Sequence, residues 1–411
     1  MVQKKTIVII GAGFGGLRAA TLLGRKIKKR GLKNQYKIVL IDSNTYHTYT
    51  PLLYEAATTD KETANYVQIK NLVTYPVAEL IKKLPIRFIQ NEIVGLDLIK
   101  GLVYCKSFEI THEELKFDYL ILAPGSETNY FNIPGLKENS LTLKSFLDAL
   151  KIRNAMLEAT AVKKNTRIVI GGGGSTGVEL AGELKEWLPE LSIAIIEAAP
   201  NILMGFEPKV VSRVQKRLNK LKIELLVNKT ITEAKKNLLS LKDGSTINFD
   251  ILIWCGGVKA SGLIRKLPLK TETKGRIEVE EAMSCLPHTE NLKLYGQVYG
   301  IGDAVCCYDP VTKKPMPMVA RAAISQATVA VNNILGKNLK FYCPKTYPYV
   351  IPVGGKYAVA KIGPFIFSGI IGWLLKGLVE LNYLLSIMPI GYALKTWLRG
   401  LYVFIKNDRL G

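Results

Sequence analysis

The chain has 411 residues, 48% hydrophobic and 22% charged, which excludes a disordered chain and fits two to three domains. Its six cysteines, Cys105, Cys255, Cys285, Cys306, Cys307 and Cys343, form no CxxC pair and no framework spacing, so a disulfide-stapled fold is excluded and a reduced, cytoplasmic compartment is expected. The formal net charge of +22 asks for a polyanionic neighbour, nucleic acid or anionic lipid headgroups, without choosing between them.

No charged segment, apolar run and cleavage site precede the first apolar strand, Thr6–Ile10, so secretion is not expected. A glycine loop follows, Gly11-Ala12-Gly13-Phe14-Gly15-Gly16, then a helix from Leu17 and a strand, Lys37–Ile41, ended by Asp42. This is G-x-G-x-x-G in a βαβ unit. The first glycine permits the tight turn, the second lets backbone approach a pyrophosphate, and the third lets helix and strand pack closely, with the helix N-terminus facing the phosphates. Asp42 stands where a carboxylate accepts hydrogen bonds from a ribose diol. A glycine turn without a ligand is the bland alternative, and the flanking strand, helix and acid weigh against it. Arg25–Lys37 holds seven basic and no acidic residues and reads as a solvated helix face. Tyr119–Ala123, closed by Pro124 and Gly125, is the next apolar strand.

A second copy starts near Arg167: strand Ile168–Ile170, loop Gly171–Gly177, helix from Val178 to about Leu188, strand Ile193–Ile196. Its loop reads Gly172-Gly173-Gly174-Ser175-Thr176-Gly177, and Glu197 ends the following strand, 20 residues beyond Gly177. A carboxylate there repels a 2′-phosphate, which favours NADH over NADPH. Ile251–Trp254 is closed by Cys255-Gly256-Gly257, and Tyr299–Asp303 forms a late junction. Asp303, after Gly302, can accept ribityl hydroxyls of a flavin; a helix N-cap is its alternative reading. The expected fold is α/β with two Rossmann-like dinucleotide-binding domains. An FAD domain spans 1–135 and 295–340, an NADH domain is inserted at 136–294, and a C-terminal membrane-associating helical segment covers 341–411.

That last segment is strongly apolar from Pro364 to Leu394, with Lys376 and Glu380 its only charges. The uncharged run from Pro364 to Leu375 has 12 residues, short of the ~20 of a membrane span. Gly369, Gly372, Gly377 and Pro389 argue against one straight helix. Trp373, Tyr383, Tyr392, Trp397 and Tyr402 interleave with leucines and isoleucines, flanked by Lys395, Arg399, Lys406 and Arg409. The pattern suits helices lying in the headgroup layer of an anionic membrane. A buried hairpin or a homodimer contact is the alternative. With only His47, His112 and His288 and no ligand cluster, no metal site is expected.

Several stretches together resemble the two-dinucleotide-binding-domain flavoproteins, and within them the type II NADH:quinone oxidoreductases. They are Ile10–Gly16, Thr50–Tyr54 (Thr-Pro-Leu-Leu-Tyr), Leu122–Ser126 with Ile133–Gly135, Gly172–Gly182, Trp254–Ala260 and Gly300–Asp303. The resemblance implies that Gly11, Gly13, Phe14, Gly15, Gly16, Asp42, Ala123, Gly125, Gly302 and Asp303 bind FAD. It likewise implies that Gly172, Gly174, Ser175, Thr176, Gly177, Glu197, Gly256 and Gly257 bind NADH. Glu179 matches a family glutamate near the nicotinamide, linked to hydride transfer or proton supply; a first-turn acid favoured by the helix dipole is the alternative. The family's A-Q-x-A-x-Q-Q helix aligns with Ala320–Gln326. There Arg321 and Ser325 replace two glutamines; the resemblance implies Arg321, Ser325 and Gln326 as the quinone-side residues, with Arg321 either donating to a quinone carbonyl or reduced flavin, plugging the slot, serving a polar acceptor, or pairing with a structural carboxylate.

The implied activity is a non-proton-pumping NADH dehydrogenase that passes two electrons through FAD to a quinone, peripheral on the cytoplasmic side of the cell membrane. Sulfide:quinone oxidoreductases resemble the chain closely but use cysteines near the flavin, and other FAD-dependent NAD(P)H reductases share the loops. A basic nucleotide-sensing or nucleic-acid-binding module without turnover is the reading from another class. The chain has no recognition-helix signature, and no nucleic-acid partner is expected.

Overall fold

Two runs of aliphatic residues ending in glycine seed two parallel sheets in a computed structural model that describes residues 3–60, 62–106, 113–309, 313–344 and 347–407. The core strands in chain order are β1 (Lys5–Ile10), β2 (Tyr36–Asp42), β3 (Ile86–Gln90), β4 (Tyr119–Leu122), β5 (Leu141–Thr142), β6 (Arg167–Gly171), β7 (Ser192–Ile196), β8 (Glu224–Leu226), β9 (Ile251–Trp254) and β10 (Gln297–Gly300). Toward the C-terminus come β11 (Tyr349–Pro352), β12 (Ala358–Ile362) and β13 (Phe365–Gly369). The helices that matter below are α1 (Phe14–Lys29), α2 (Leu53–Thr58), α3 (Ser175–Trp187), α4 (Pro208–Lys220), α5 (Ala320–Leu335), α6 (Ile370–Ile387) and α7 (Ile390–Asn407).

The chain sorts into two compact units: Met1–His47, Tyr75–Glu127 and Val258–Lys345 form one, and Thr48–Thr74, Thr128–Gly257 and Thr346–Gly411 the other. The sequence-derived breaks at 136, 295 and 341 differ from these edges, because short segments such as Thr48–Thr74 join the body they pack on rather than their chain neighbours. His112 and Arg409, read from the sequence, lie outside the described residues.

In the first unit the sheet order is β10-β4-β1-β2-β3, all parallel. Ile7, Val8 and Ile9 are fully buried, as a parallel strand with no polar face requires. Arg30, past the end of α1, donates from Nη1 to Leu335 O of α5 at 3.1 Å, and Lys26 Nζ donates to Asn332 Oδ1. The second unit repeats the plan as β5-β9-β6-β7-β8, again all parallel. In both sheets the first strand of the βαβ unit is central and the chain turns to its other side afterwards. The strand order therefore reverses between β1 and β4 and between β6 and β9, where doubly wound sheets open their ligand crevice.

Both first helices start earlier than the sequence suggested, at Phe14 and Ser175, because the last loop glycines belong to the first helical turn.

The antiparallel strands β11–β13 also belong to the second unit. Arg217 of α4, 4% exposed, donates to Val353 O, Gly354 O and Glu186 Oε1 at 3.2, 3.1 and 2.7 Å, which fastens this sheet to the dinucleotide fold. Phe365–Gly369, read as helical from its apolar content, is strand β13. The helix begins only after Gly369, whose φ of +75° turns the chain. A Cβ on Gly372 would lie 2.1 Å from Ala358 O, so glycine there lets α6 sit directly on β12. By length and composition α6 is apolar enough to cross a membrane (18 residues, mean hydropathy 1.4), although the uncharged run from Pro364 to Leu375 alone is too short for that. The structure buries the charges that end that run.

Candidate functional site

At the carboxyl end of β1 the chain turns through Gly11, φ +94°, and a Cβ there would lie 2.2 Å from Ala123 O. A Cβ on Gly16 would lie 1.8 Å from Gly11 O, so helix and loop touch backbone to backbone. Gly15 packs under Ile301, whose Cδ1 would be 3.2 Å from an added Cβ. Gly13 is different. It is exposed and would meet nothing within 4 Å, and the helix start it caps receives no side-chain hydrogen bond. Uncapped N–H groups over an open slot are what a pyrophosphate needs.

The loop is held by a strand-end acid. Asp42 Oδ2 accepts from Ala12 N at 2.7 Å and Oδ1 from Asn44 N at 2.7 Å. The second unit repeats the arrangement: Glu197 Oε2 accepts from Gly173 N at 2.7 Å and Oε1 from Ala199 N at 2.8 Å. Gly172 has φ +107°, with an added Cβ 2.5 Å from Gly256 Cα, and one on Gly177 would meet Gly172 O at 2.1 Å. Gly174, like Gly13, is exposed over open space at an uncapped helix start, beside Ser175 and Thr176. Asp42 Oδ1 also accepts from Asn44 Nδ2 at 3.3 Å, so the remaining lone-pair capacity for a ribose hydroxyl lies on Oδ2 of Asp42 and on the two oxygens of Glu197. The residues present therefore fit one dinucleotide in each unit.

Within the first unit the late junction joins the first loop's side of the sheet. Ile301 N donates to Leu122 O at 3.0 Å, and Asp303 Oδ2 accepts from Ser126 Oγ at 2.9 Å, next to Gly125 with its φ of +72°. Asp303 opens no long helix; it lies in a 3-10 turn, Gly302–Ala304. Gln326 is 3% exposed and accepts from Gly302 N at 2.8 Å, so it supports this junction, while Arg321 and Ser325 are half-buried on α5. His47, which no local motif marks, also belongs to this site. Its Nδ1 lies 2.9 Å from Ala12 O, its ring meets Phe14 edge-on at 5.1 Å, and burial pushes its pKa down to about 4. It is a neutral prop for the glycine loop.

In the second unit a buried charged cluster lies beside α3. Lys376 of α6 pairs with Glu55 of α2, fully buried, and lies over the Tyr54 and Phe404 rings at 5.2 and 4.8 Å. Glu380, 4% exposed, is pushed up to about 8 by burial, against the Lys376 charge and with that of Glu55. Glu179 is half-buried, and desolvation raises it to about 8 while Lys376 opposes the shift. Cys255 is driven up to about 12 by burial and then by Glu179. One sequence signal pointed here: Lys376 and Glu380, one turn apart, are the only charges in an apolar run. Among the described residues no group of His, Cys, Asp and Glu has a metal-binding arrangement.

Two outcomes follow from this geometry. Gly13→Ala, with open space for its methyl, should leave the stability of the ligand-free protein within about 0.5 kcal/mol of wild type but lower retention of a bound dinucleotide after gel filtration; Gly16→Ala should instead destabilise by roughly 1–3 kcal/mol. Glu380 has a folded pKa above its unfolded value, so it contributes stability present below about pH 4.3 and lost as pH rises to 8. Glu380→Gln should remove that loss, raising stability at about pH 8 by on the order of 4 kcal/mol and little near pH 4. Glu179 keeps part of the slope. Denaturant unfolding across that range reads the difference.

The chain is similar over its length to characterised redox enzymes. It is 27% identical to the type II NADH:quinone oxidoreductase Ndh of Mycobacterium tuberculosis, covering 96% of this chain and 88% of that protein. It is 26% identical to the type II NADH:quinone oxidoreductase of Haemophilus influenzae, covering 80% of each. Its fold matches the solved structure of NDH2 from Plasmodium falciparum in complex with NADH, with a TM-score of 0.82 at 20% identity over 98% of both chains. It also matches the sulfide:quinone oxidoreductase of Aquifex aeolicus, at 0.72 and 19% identity over 93% and 91%. The sequence pattern described as pyridine nucleotide-disulphide oxidoreductase matches residues 5–327, and this chain belongs to that family.

Proposed function

We propose that the chain is a type II NADH:quinone oxidoreductase, taking two electrons from NADH and delivering them to a membrane quinone without pumping protons. The observation that carries the reading is the duplicated cradle: two glycine loops, each clamped by its own strand-end acid, in one chain. The overall reaction balances as NADH, a proton and quinone giving NAD⁺ and quinol.

In this reading FAD belongs to the first unit, with Gly13 opposite its pyrophosphate, Asp42 at its ribose and Asp303 at its ribityl chain. NADH belongs to the second, over Gly174, Ser175 and Thr176, with Glu197 at the adenosine ribose and Gly256 and Gly257 at the nicotinamide end. A flavin, when bound, would supply the two-electron redox chemistry between NADH and the acceptor. Glu197 disfavours a 2′-phosphate and so selects NADH. Glu179, held near 8, keeps its proton in neutral solution and can release one. Arg321 and Ser325 offer donors to a quinone oxygen. The sulfide alternative needs a pair of reactive thiols, for which Cys343 is the exposed candidate; burial raises Cys255, Cys285 and Cys307, the last to about 11, which suits packing residues rather than a second reactive thiol.

The acceptor's lipid solubility agrees with the C-terminal helices, whose amphipathicity is inverted. The inner face of α6 buries Trp373, Lys376, Glu380 and Tyr383, while Ile370, Ile371, Leu374 and Leu378 are each more than half exposed. On α7, Ile390, Leu398, Tyr402 and Ile405 are likewise more than half exposed, beside exposed Lys395, Arg399 and Lys406. An apolar stripe rimmed by cations fits an anionic bilayer surface. With NADH as donor, this is the cytoplasmic face of the cell membrane. A homodimer through the same stripe is the competing use.

The purified protein should be yellow, bleach with NADH under anaerobic conditions and recolour with a soluble quinone analogue. An unchanged flavin spectrum after NADH addition sinks the assignment. A Leu374→Glu, Leu378→Glu double variant should weaken partition onto anionic vesicles about tenfold or more in a flotation assay, since each leucine contributes roughly 1.5–3 kcal/mol on burial.

A further inference from the structure

Phe131 stands out as an aromatic residue held in an unfavourable conformation with little burial to offset it. It and Asn132 both lie in the left-handed region, at φ +51° and +55°, which a bulky side chain rarely adopts. Its side chain is 57% exposed.

The conformation is imposed by a network around Asn129. Asn129 Oδ1 accepts from Phe131 N at 2.9 Å, Asn129 O accepts from Trp254 Nε1 at 2.8 Å, and Asn129 N donates to Gly257 O at 3.1 Å. Trp254 is fixed in turn, because its indole fills the space that a Cβ on Gly171 or Gly256 would occupy, each at 2.4 Å. The Phe131 ring stands edge to face with Trp254 at 6.4 Å and rests on Gly257, where an added Cβ would come within 3.0 Å of it. A pre-set, solvent-facing ring loses little entropy when a flat group stacks on it.

Its position says which flat group. Gly257 follows β9, on the far side of β6 from β7. A dinucleotide across that crevice puts its adenosine at Glu197, after β7, and its other base over the end of β9. We infer that Phe131 is a positioning residue, an aromatic wall that fixes the nicotinamide ring of the dinucleotide in the second unit. The assignment rests on that unit being a dinucleotide site, and it adds a residue that selects for the redox-active half of the ligand.

The test compares NAD⁺ with ADP-ribose, which lacks the nicotinamide, by calorimetric titration of the holoenzyme. Phe131→Ala should raise the Kd of NAD⁺ about threefold to tenfold and leave that of ADP-ribose unchanged, while Phe131→Tyr should match wild type. Phe131→Gly, which accepts the left-handed backbone, should bind NAD⁺ as weakly as the alanine variant while unfolding at or above the wild-type temperature. That combination separates positioning from a packing role. Equal weakening of both ligands, or no effect on NAD⁺, overturns the assignment while leaving the dinucleotide site intact. Wild-type protein that binds neither ligand overturns both.

Discussion

The strand-end carboxylate that holds its own glycine loop is the constraint on which the rest depends. Asp42 and Glu197 each spend one oxygen on a loop N–H and the other on the N–H two residues beyond the acid itself. These are charge-assisted bonds, short and strong compared with neutral ones. They lock a loop whose first and third glycines are already forced by backbone contact, and so keep the slot at the second glycine open above an uncapped helix. The edge strand of the first sheet, β10, comes late in the chain and that of the second, β5, early, yet the clamp is the same in both. The constraint is therefore local to each βαβ unit.

The C-terminal part of the second unit follows a different logic. Burying the Lys376–Glu55 pair is costly by desolvation and weak as a source of stability, but either ion left without its partner costs more. The cluster thus sets the rotation of α6: the charged side must face α2, and the leucines and isoleucines must face out. The same lysine lowers the pKa of Glu179 against the desolvation that raises it. The helix that offers an apolar surface to its surroundings therefore also tunes an acid on the first helix of the nucleotide fold.

Both βαβ units were legible as sequence, with strand limits close to those observed, because an aliphatic run, a glycine turn and a terminal acid are all near neighbours in the chain. The helix starts were read three residues late, since a loop glycine and a first-turn glycine look alike in sequence. Phe365–Gly369 was misread because its apolar content satisfies a half-buried strand as well as a helix. His47, Glu55 and Phe131 were not singled out, and each acquires its role from distant partners.

The sequence alone determined that there are two glycine loops, which acid stands opposite each, and that an apolar segment with two charges ends the chain. Hydrogen bonds over about 30 residues or fewer suffice for those features. Tertiary structure decided which way α6 faces, which carboxyls are raised, and that Phe131 is exposed in a left-handed turn. The reason is separation along the chain: Glu55 meets Lys376 across 321 residues and Trp254 reaches Asn129 across 125, and no local pattern encodes such pairings.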